Sequence, residues 1–92
     1  MNCTWDENKN QLNIRDHKLS FEVAQYVFDD PLCISRQDRV EDGEERWQTV
    51  GQVAGRYIVL VAHTYLGIED VRIISARKAT KKERRGYEEG AY

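Results

Sequence analysis

The nine residues Arg56–Thr64, RYIVLVAHT, constrain the fold more than any other stretch. In a strand, successive side chains point to opposite faces. Ile58, Leu60 and Ala62 would then face one way, and Tyr57, Val59, Val61 and His63 the other. Both sets are largely apolar, so this segment reads as a central strand with neighbours on both edges. Ninety-two residues are one domain by length, residues 1–92, with one small core. A sheet built around this strand must therefore supply most of that core.

The neighbours follow from local signals. CTW near the start can form a short edge strand. DENKNQLNIRDH reads as a helix capped by Asp6, with Glu7 in the first turn where the helix dipole favours negative charge. Its apolar content is thin, essentially Leu12 and Ile14. Ser20 caps a second helix, along which Phe21, Ala24, Val27 and Phe28 form one apolar stripe. Pro31 disfavours helix at Asp30 and ends it. LCIS predicts a short strand, and the polar RQDRVEDGEE that follows predicts a turn or mobile acidic loop. ERWQTVGQV is strand-like, Ala54–Gly55 suits a hairpin turn, and YLGIED turns again into a last strand, DVRIISA. Strict alternation there puts Val71, Ile73 and Ser75 on one face and Arg72, Ile74 and Ala76 on the other. TKKERRGYEE reads as a final helix, with Thr80 and Glu83 in capping-box spacing. The expected order is β-α-α-β-β-β-β-α. The fold class is α+β, a small twisted antiparallel sheet with helices packed on one face.

Charge is distributed unevenly. Arg72 to Arg85 holds seven cations and one anion, a segment of +6; the whole chain is −2, so the remainder is −8. Such a basic end is a candidate contact for a polyanion, or else a solvated cationic face. Cys3 and Cys33 have neither CxxC nor metal-ligand spacing and read as reduced thiols, and a zinc site joining them to His17 and His63 would need unusual spacings. No apolar run approaches a membrane span, and MNCTWDENKN carries no apolar signal segment. The expectation is a cytoplasmic protein with no membrane partner, no metal and no cofactor.

Four stretches carry a family likeness: WDENKNQLNIRDHKLSFEVAQYVFDDP, GEERWQTVG, VLVAHT and VRIISARKATKKERRGYEEG. In this order they cover nearly the whole chain, and together they resemble the BrnT-type toxins of bacterial type II toxin–antitoxin systems. The resemblance implies a fold like that of RelE-type toxins, ribonuclease activity and a cognate BrnA-type antitoxin. In that family the antitoxin carries a ribbon-helix-helix DNA-binding part, so DNA is contacted only indirectly, through the antitoxin. One position departs from the pattern. Family members usually have glycine after the histidine matching His17, where this chain has Lys18. Glycine would suit a left-handed residue ending the first helix, and lysine costs about 1 kcal/mol there.

RNA supplies its own nucleophile, the 2′-hydroxyl, so a ribonuclease need only position the chain, stabilise charge at the phosphoryl group and move two protons. Guanidinium groups match a phosphate bidentately and stay charged. Arg72 and Arg77 are therefore the expected phosphate-holding pair, with Lys81 assisting one turn into the final helix. His63 is the leading acid–base candidate, against a structural role as a hydrogen-bonded strand-end histidine. Arg46, His17, Lys78, Lys82 and Tyr87 are further candidates for RNA contact, with Tyr65 and Tyr92 also able to stack on bases. The helical cations are equally suited to an antitoxin. An antitoxin should cover this cradle with an acidic or aromatic segment docked near Arg72 to Arg85. The rival functional reading is a non-catalytic binding module of the same fold that acts only through a protein partner. The nuclease reading requires the Arg72, Arg77 and Lys81 side chains to converge on one hollow.

Overall fold

The computed structural model describes all residues, Met1–Tyr92. A five-stranded sheet in the order β1-β5-β4-β3-β2 is built from β1 (Asn2–Trp5), β2 (Ile34–Glu41), β3 (Glu44–Val53), β4 (Tyr57–Tyr65) and β5 (Asp70–Lys78). Between β1 and β2 come α1 (Glu7–His17) and α2 (Phe21–Ala24), the latter running on as a 3-10 turn over Gln25–Asp29; α3 (Lys81–Glu89) follows β5. β4 occupies the centre, as its two apolar faces require.

Two features of the expected architecture are corrected. The sheet is mixed rather than wholly antiparallel: β1 runs parallel to β5, from Asn2 opposite Asp70 to Trp5 opposite Ile73. The reason is topological. The chain leaves β1 into the helical layer and returns at the far edge, which leaves β5's outer edge for β1. The helices also do not share one face. Phe21, Ala24 and Val27 pack with Val53, Val59, Val61, Ile73 and Ala76 on one side. α3 lies across the other. There Tyr92, beyond its end, bonds Gln48, and Glu83 bonds Arg77, both on the face opposite Val59 and Val61. Val50 and Leu60 are buried on this second side. The double coverage explains why both faces of β4 are apolar.

Local chemistry fixes the helix ends. The Asp6 carboxylate accepts from the Asn8 and Lys9 amides, the Ser20 hydroxyl from Val23, and Thr80 and Glu83 close a reciprocal capping box. α1 is held by amides more than by apolar contact. Leu12 is exposed, while Asn10 and Asn13 are buried. The Asn13 side chain donates to the Ala76 carbonyl at 2.8 Å and accepts from the Ala76 amide at 3.1 Å. It thereby satisfies β5's outer edge beyond the last residue of β1. Asn10 Oδ1 accepts from the Phe21 amide at 2.8 Å, tying α1 to the start of α2. α1 ends on Lys18, whose φ of 58° is left-handed and whose amide donates to the Ile14 carbonyl. This is the conformation that glycine would adopt more cheaply.

The acidic segment expected as a loop is largely strand. β2 runs for eight residues to Glu41 and turns through Asp42 and Gly43, both at positive φ, into β3. An edge strand exposed on both faces shows no hydrophobic alternation, which hides it from a pattern reading. Cys3 and Cys33 are unbridged thiols, and no helix is long and apolar enough to cross a membrane.

Candidate nucleic-acid interface

A bulge in β5 creates the site. Ala62 of β4 pairs with Ser75 but the next residue, His63, pairs with Ile73, so Ile74 is an extra residue in the ladder. Strict alternation would have placed Arg72 and Arg77, five positions apart, on opposite faces. The extra residue reverses the phase. Val71, Ile73 and Ala76 turn inward to the α1 side, whereas Arg72, Ser75 and Arg77 share the α3 side. The grouping expected for Ser75 and Ala76 is thus inverted, and the two arginines are brought onto one surface.

Strand register arranges that surface in rows. Arg36, Gln48, Ala62 and Ser75 lie side by side across β2 to β5. On one flank stand Arg46, Thr64 and Arg72; on the other, Val50, Leu60 and Arg77, with α3 above them. Four guanidinium groups therefore surround a floor of small and amide side chains. Two carboxylates sit among them. Arg72 Nη2 donates to both Glu44 oxygens at 2.8 and 3.0 Å, and Arg46 Nη2 lies 3.4 Å from the same carboxylate. Arg77 grips Glu83 through both Nη atoms at 2.8 and 3.0 Å. That bond, together with the Thr80 amide, outweighs burial and pulls the Glu83 carboxyl from 4.5 to about 2. Four guanidiniums against two carboxylates leave an electropositive surface, and the buried Arg46 Nε has no partner.

Arg72, Arg77, Arg46 and Lys82 lie around this face, but Arg72, Arg77 and Lys81 do not line one common hollow as expected: Arg72 is turned to Glu44 and Arg77 to Glu83. Lys82 lines a cleft with Arg36, Glu83 and Tyr92, and Lys81 stands exposed in the first turn of α3. The other predicted residues lie elsewhere. His63 is fully buried on the α1 side, among Phe28 and Tyr65, at centroid distances of 4.9 and 5.1 Å. Burial lowers its pKa from 6.5 to about 4. Its Nε2 is 2.7 Å from Thr49 Oγ1, which in turn is 2.6 Å from Ser35 Oγ, while Nδ1 has no partner. An orphaned acceptor costs less than an orphaned N–H, so the proton belongs on Nε2 and the ring donates to Thr49. This is the geometry of a structural histidine, and it does not meet the arginines.

His17 is exposed at the end of α1. Lys78 pairs with Val59 and so faces the α1 side, its Nζ 5.5 Å from the Tyr57 ring. Tyr87 donates its hydroxyl to Asp30 Oδ2 at 2.6 Å. Burial and this bond raise its pKa to about 12, and the bond ties α3 to the end of the 3-10 turn. Burial pushes the Asp30 carboxyl up, but the bonds from Tyr87, Gln52 N–H and Leu32 N–H outweigh it and hold the carboxyl below its usual range. Arg36 and Gln48 were missed in the sequence. Arg36 lay in the stretch taken for a loop, and only strand register shows which side chains flank it.

The sequence matches the family described as "Ribonuclease toxin, BrnT, of type II toxin-antitoxin system" over residues 5–83. No curated protein matches it. Among solved structures, it is similar to the ribonuclease toxin BrnT of Brucella abortus, with a TM-score of 0.64 and 26% identity. That likeness covers 88% of this chain and 99% of the Brucella chain. The match runs from the last residue of β1 into the first turn of α3, including both arginines that the bulge brings into phase, and the chain belongs to the BrnT family of type II ribonuclease toxins.

Proposed function

We propose that the chain cleaves RNA endonucleolytically, without a metal ion, on the guanidinium face between α3 and the β2–β3 hairpin. The observation that carries this is the common orientation of Arg72 and Arg77, with Arg36 and Arg46 completing the rim. The 2′-hydroxyl attacks the adjacent phosphorus and the P–O5′ bond breaks, leaving a 2′,3′-cyclic phosphate and a 5′-hydroxyl; solvent water takes the proton from the 2′-oxygen and returns one to the departing 5′-oxygen. Arg72 and Arg77 hold the phosphoryl oxygens and neutralise the charge that grows on them, with Lys81 nearby at the head of α3. Arg77 already grips a carboxylate through two nitrogens and Arg72 reaches both oxygens of another from Nη2 alone, which supports a role for both as oxyanion donors. Substrate phosphate displaces Glu44 and Glu83. No imidazole shares this face, so acceleration comes from positioning and charge neutralisation, and His63 keeps a structural role.

The same chemistry suits a BrnA-type antitoxin. An acidic segment laid over the face would satisfy the guanidiniums as the two internal glutamates do, and would exclude RNA. In this reading the toxin works in the cytoplasm, stops translation by cutting RNA, uses a RelE-like arrangement of sheet and helices, and reaches DNA only through its antitoxin. The test is cleavage of single-stranded RNA in EDTA. Arg72→Ala and Arg77→Ala should each lower the rate by about a hundredfold, the usual loss on removing one oxyanion-stabilising donor. An Arg77→Ala protein as active as wild type would end that residue's role, and a wild type that cuts no RNA would leave the binding-module reading.

A further inference from the structure

The largest cleft of the molecule, about 370 Å³, opens between β2 and the start of α3 and is unused by the steps above. Its walls are Arg36, Lys82, Gly86 and Tyr92, and Glu83 forms the partition between it and Arg77. The Arg36 guanidinium lies 4.2 Å over the Tyr92 ring. The ring is fixed in turn, because its hydroxyl donates to Gln48 Oε1 at 2.6 Å. Gly86 makes room for this wall. A Cβ there would stand 3.1 Å from the Tyr92 Cα and 3.6 Å from the Ala91 carbonyl oxygen, so the tail at Tyr92 would have to give by a few tenths of an ångström. The wall thus depends on residues beyond 83, where the family match ends.

We infer that this cleft is a nucleotide subsite, in which the base next to the scissile phosphate stacks on the Arg36 guanidinium while Lys82 meets its backbone. The inference rests on the RNA-cleaving reading and adds a binding determinant to it. A guanidinium plane already stacked on tyrosine is a rigid platform, and base recognition in single-stranded RNA uses such planes and aromatic rings. The volume is of the size that small-molecule sites occupy. Arg36 and Gln48 are neighbours in the central row of the guanidinium face, so a strand crossing that row passes from Arg72 and Arg77 straight into the cleft. Stacking tolerates any base, so the subsite contributes affinity and register rather than base identity.

The test compares purified full-length wild type, Arg36→Ala, Tyr92→Ala, Tyr92→Phe and Arg77→Ala on a short single-stranded RNA and on the same RNA made abasic beside the cleavage site. Removing a stacking partner should raise KM roughly tenfold, with a smaller change in kcat. Tyr92→Phe, which keeps the ring, should recover most of what Tyr92→Ala loses. The abasic RNA should cost wild type affinity but cost Tyr92→Ala and Arg36→Ala nothing further, a readout that loss of folding would not produce. If Arg77→Ala is inactive while Tyr92→Ala keeps both wild-type KM and wild-type sensitivity to the abasic site, the subsite is refuted and the cleavage reading survives. If Tyr92→Ala weakens only antitoxin binding, the cleft is a protein contact and the inference falls. A wild type that neither binds nor cuts RNA overturns both.

Discussion

Glu83→Gln separates the structural and functional work of one carboxylate. Glutamine can still accept from the Thr80 amide, so the capping box keeps its form while the charge facing Arg77 disappears. The native carboxyl is drawn from 4.5 to about 2. At about 1.4 kcal/mol per pH unit, that difference corresponds to about 3 kcal/mol of stability. The Arg77 side chain is 38% exposed, and solvent screening reduces the figure to about 1–2 kcal/mol. Because the native pKa is depressed, the contribution is complete above pH 4.5 and is lost as pH falls toward 2. The variant should melt about 5–10 °C below wild type at pH 7, on the scaling for a domain of this size. The gap should close by about pH 2, where the wild-type carboxyl is itself substantially protonated. Differential scanning fluorimetry across pH 2–7 measures it, and comparing the two proteins cancels every other titration. RNA affinity should move the opposite way, because the Arg77 fork is freed. Melting curves that stay parallel from pH 7 to pH 2 would refute the assignment of this stability to the Arg77–Glu83 pair.

Other substitutions probe the frame. Lys18→Gly should stabilise the fold by about 1 kcal/mol in urea denaturation by relieving a left-handed lysine, and no gain would mean that the strain is absent. His63→Phe should leave RNA cleavage per folded molecule near wild type and flatten the loss of stability between pH 6.5 and 4, the window in which the unfolded histidine takes up a proton and the buried one does not; a cleavage defect in a well-folded variant would return His63 to the chemistry. Gly51→Ala should destabilise by about 1–3 kcal/mol, since its Cβ would lie 2.7 Å from Val27 Cγ2 and 2.9 Å from Cys33 Cβ, and an unchanged melting temperature would show that the 3-10 turn yields freely. Tyr87→Phe should cost about 1–2 kcal/mol by removing the bond to Asp30, read by the same denaturation.

What could be read in the sequence was whatever depends on neighbours in the chain. The caps at Asp6, Ser20 and Thr80, the doubly apolar strand at β4 and the turn at Ala54–Gly55 are local events. The basic character of Arg72 to Arg85 was equally visible. Placement was not. Nothing in CTW says that β1 will run parallel beside β5, and nothing in TKKERRGYEE says that α3 crosses to the second face. Asn10 and Asn13 give no signal in a thinly apolar helix, because their value lies in partners at Phe21 and Ala76. Arg36 was hidden for the same reason. The burial of His63 against Phe28 was equally hidden, because a histidine closing an apolar strand reads alike whether it meets solvent or a phenylalanine from another element.

Ile74 makes the spacing of β5 informative in a way its composition is not. A relative with every arginine retained but one residue fewer between Ile73 and Ala76 would preserve the tally of charges and lose their meeting place. One guanidinium would be driven beneath the helical layer, or the apolar side chains forced outward. Counting residues across this strand should therefore discriminate competent toxins from inert descendants better than scoring its chemistry. On the proposed mechanism, deleting the single codon for Ile74 should abolish cleavage although it removes no functional group.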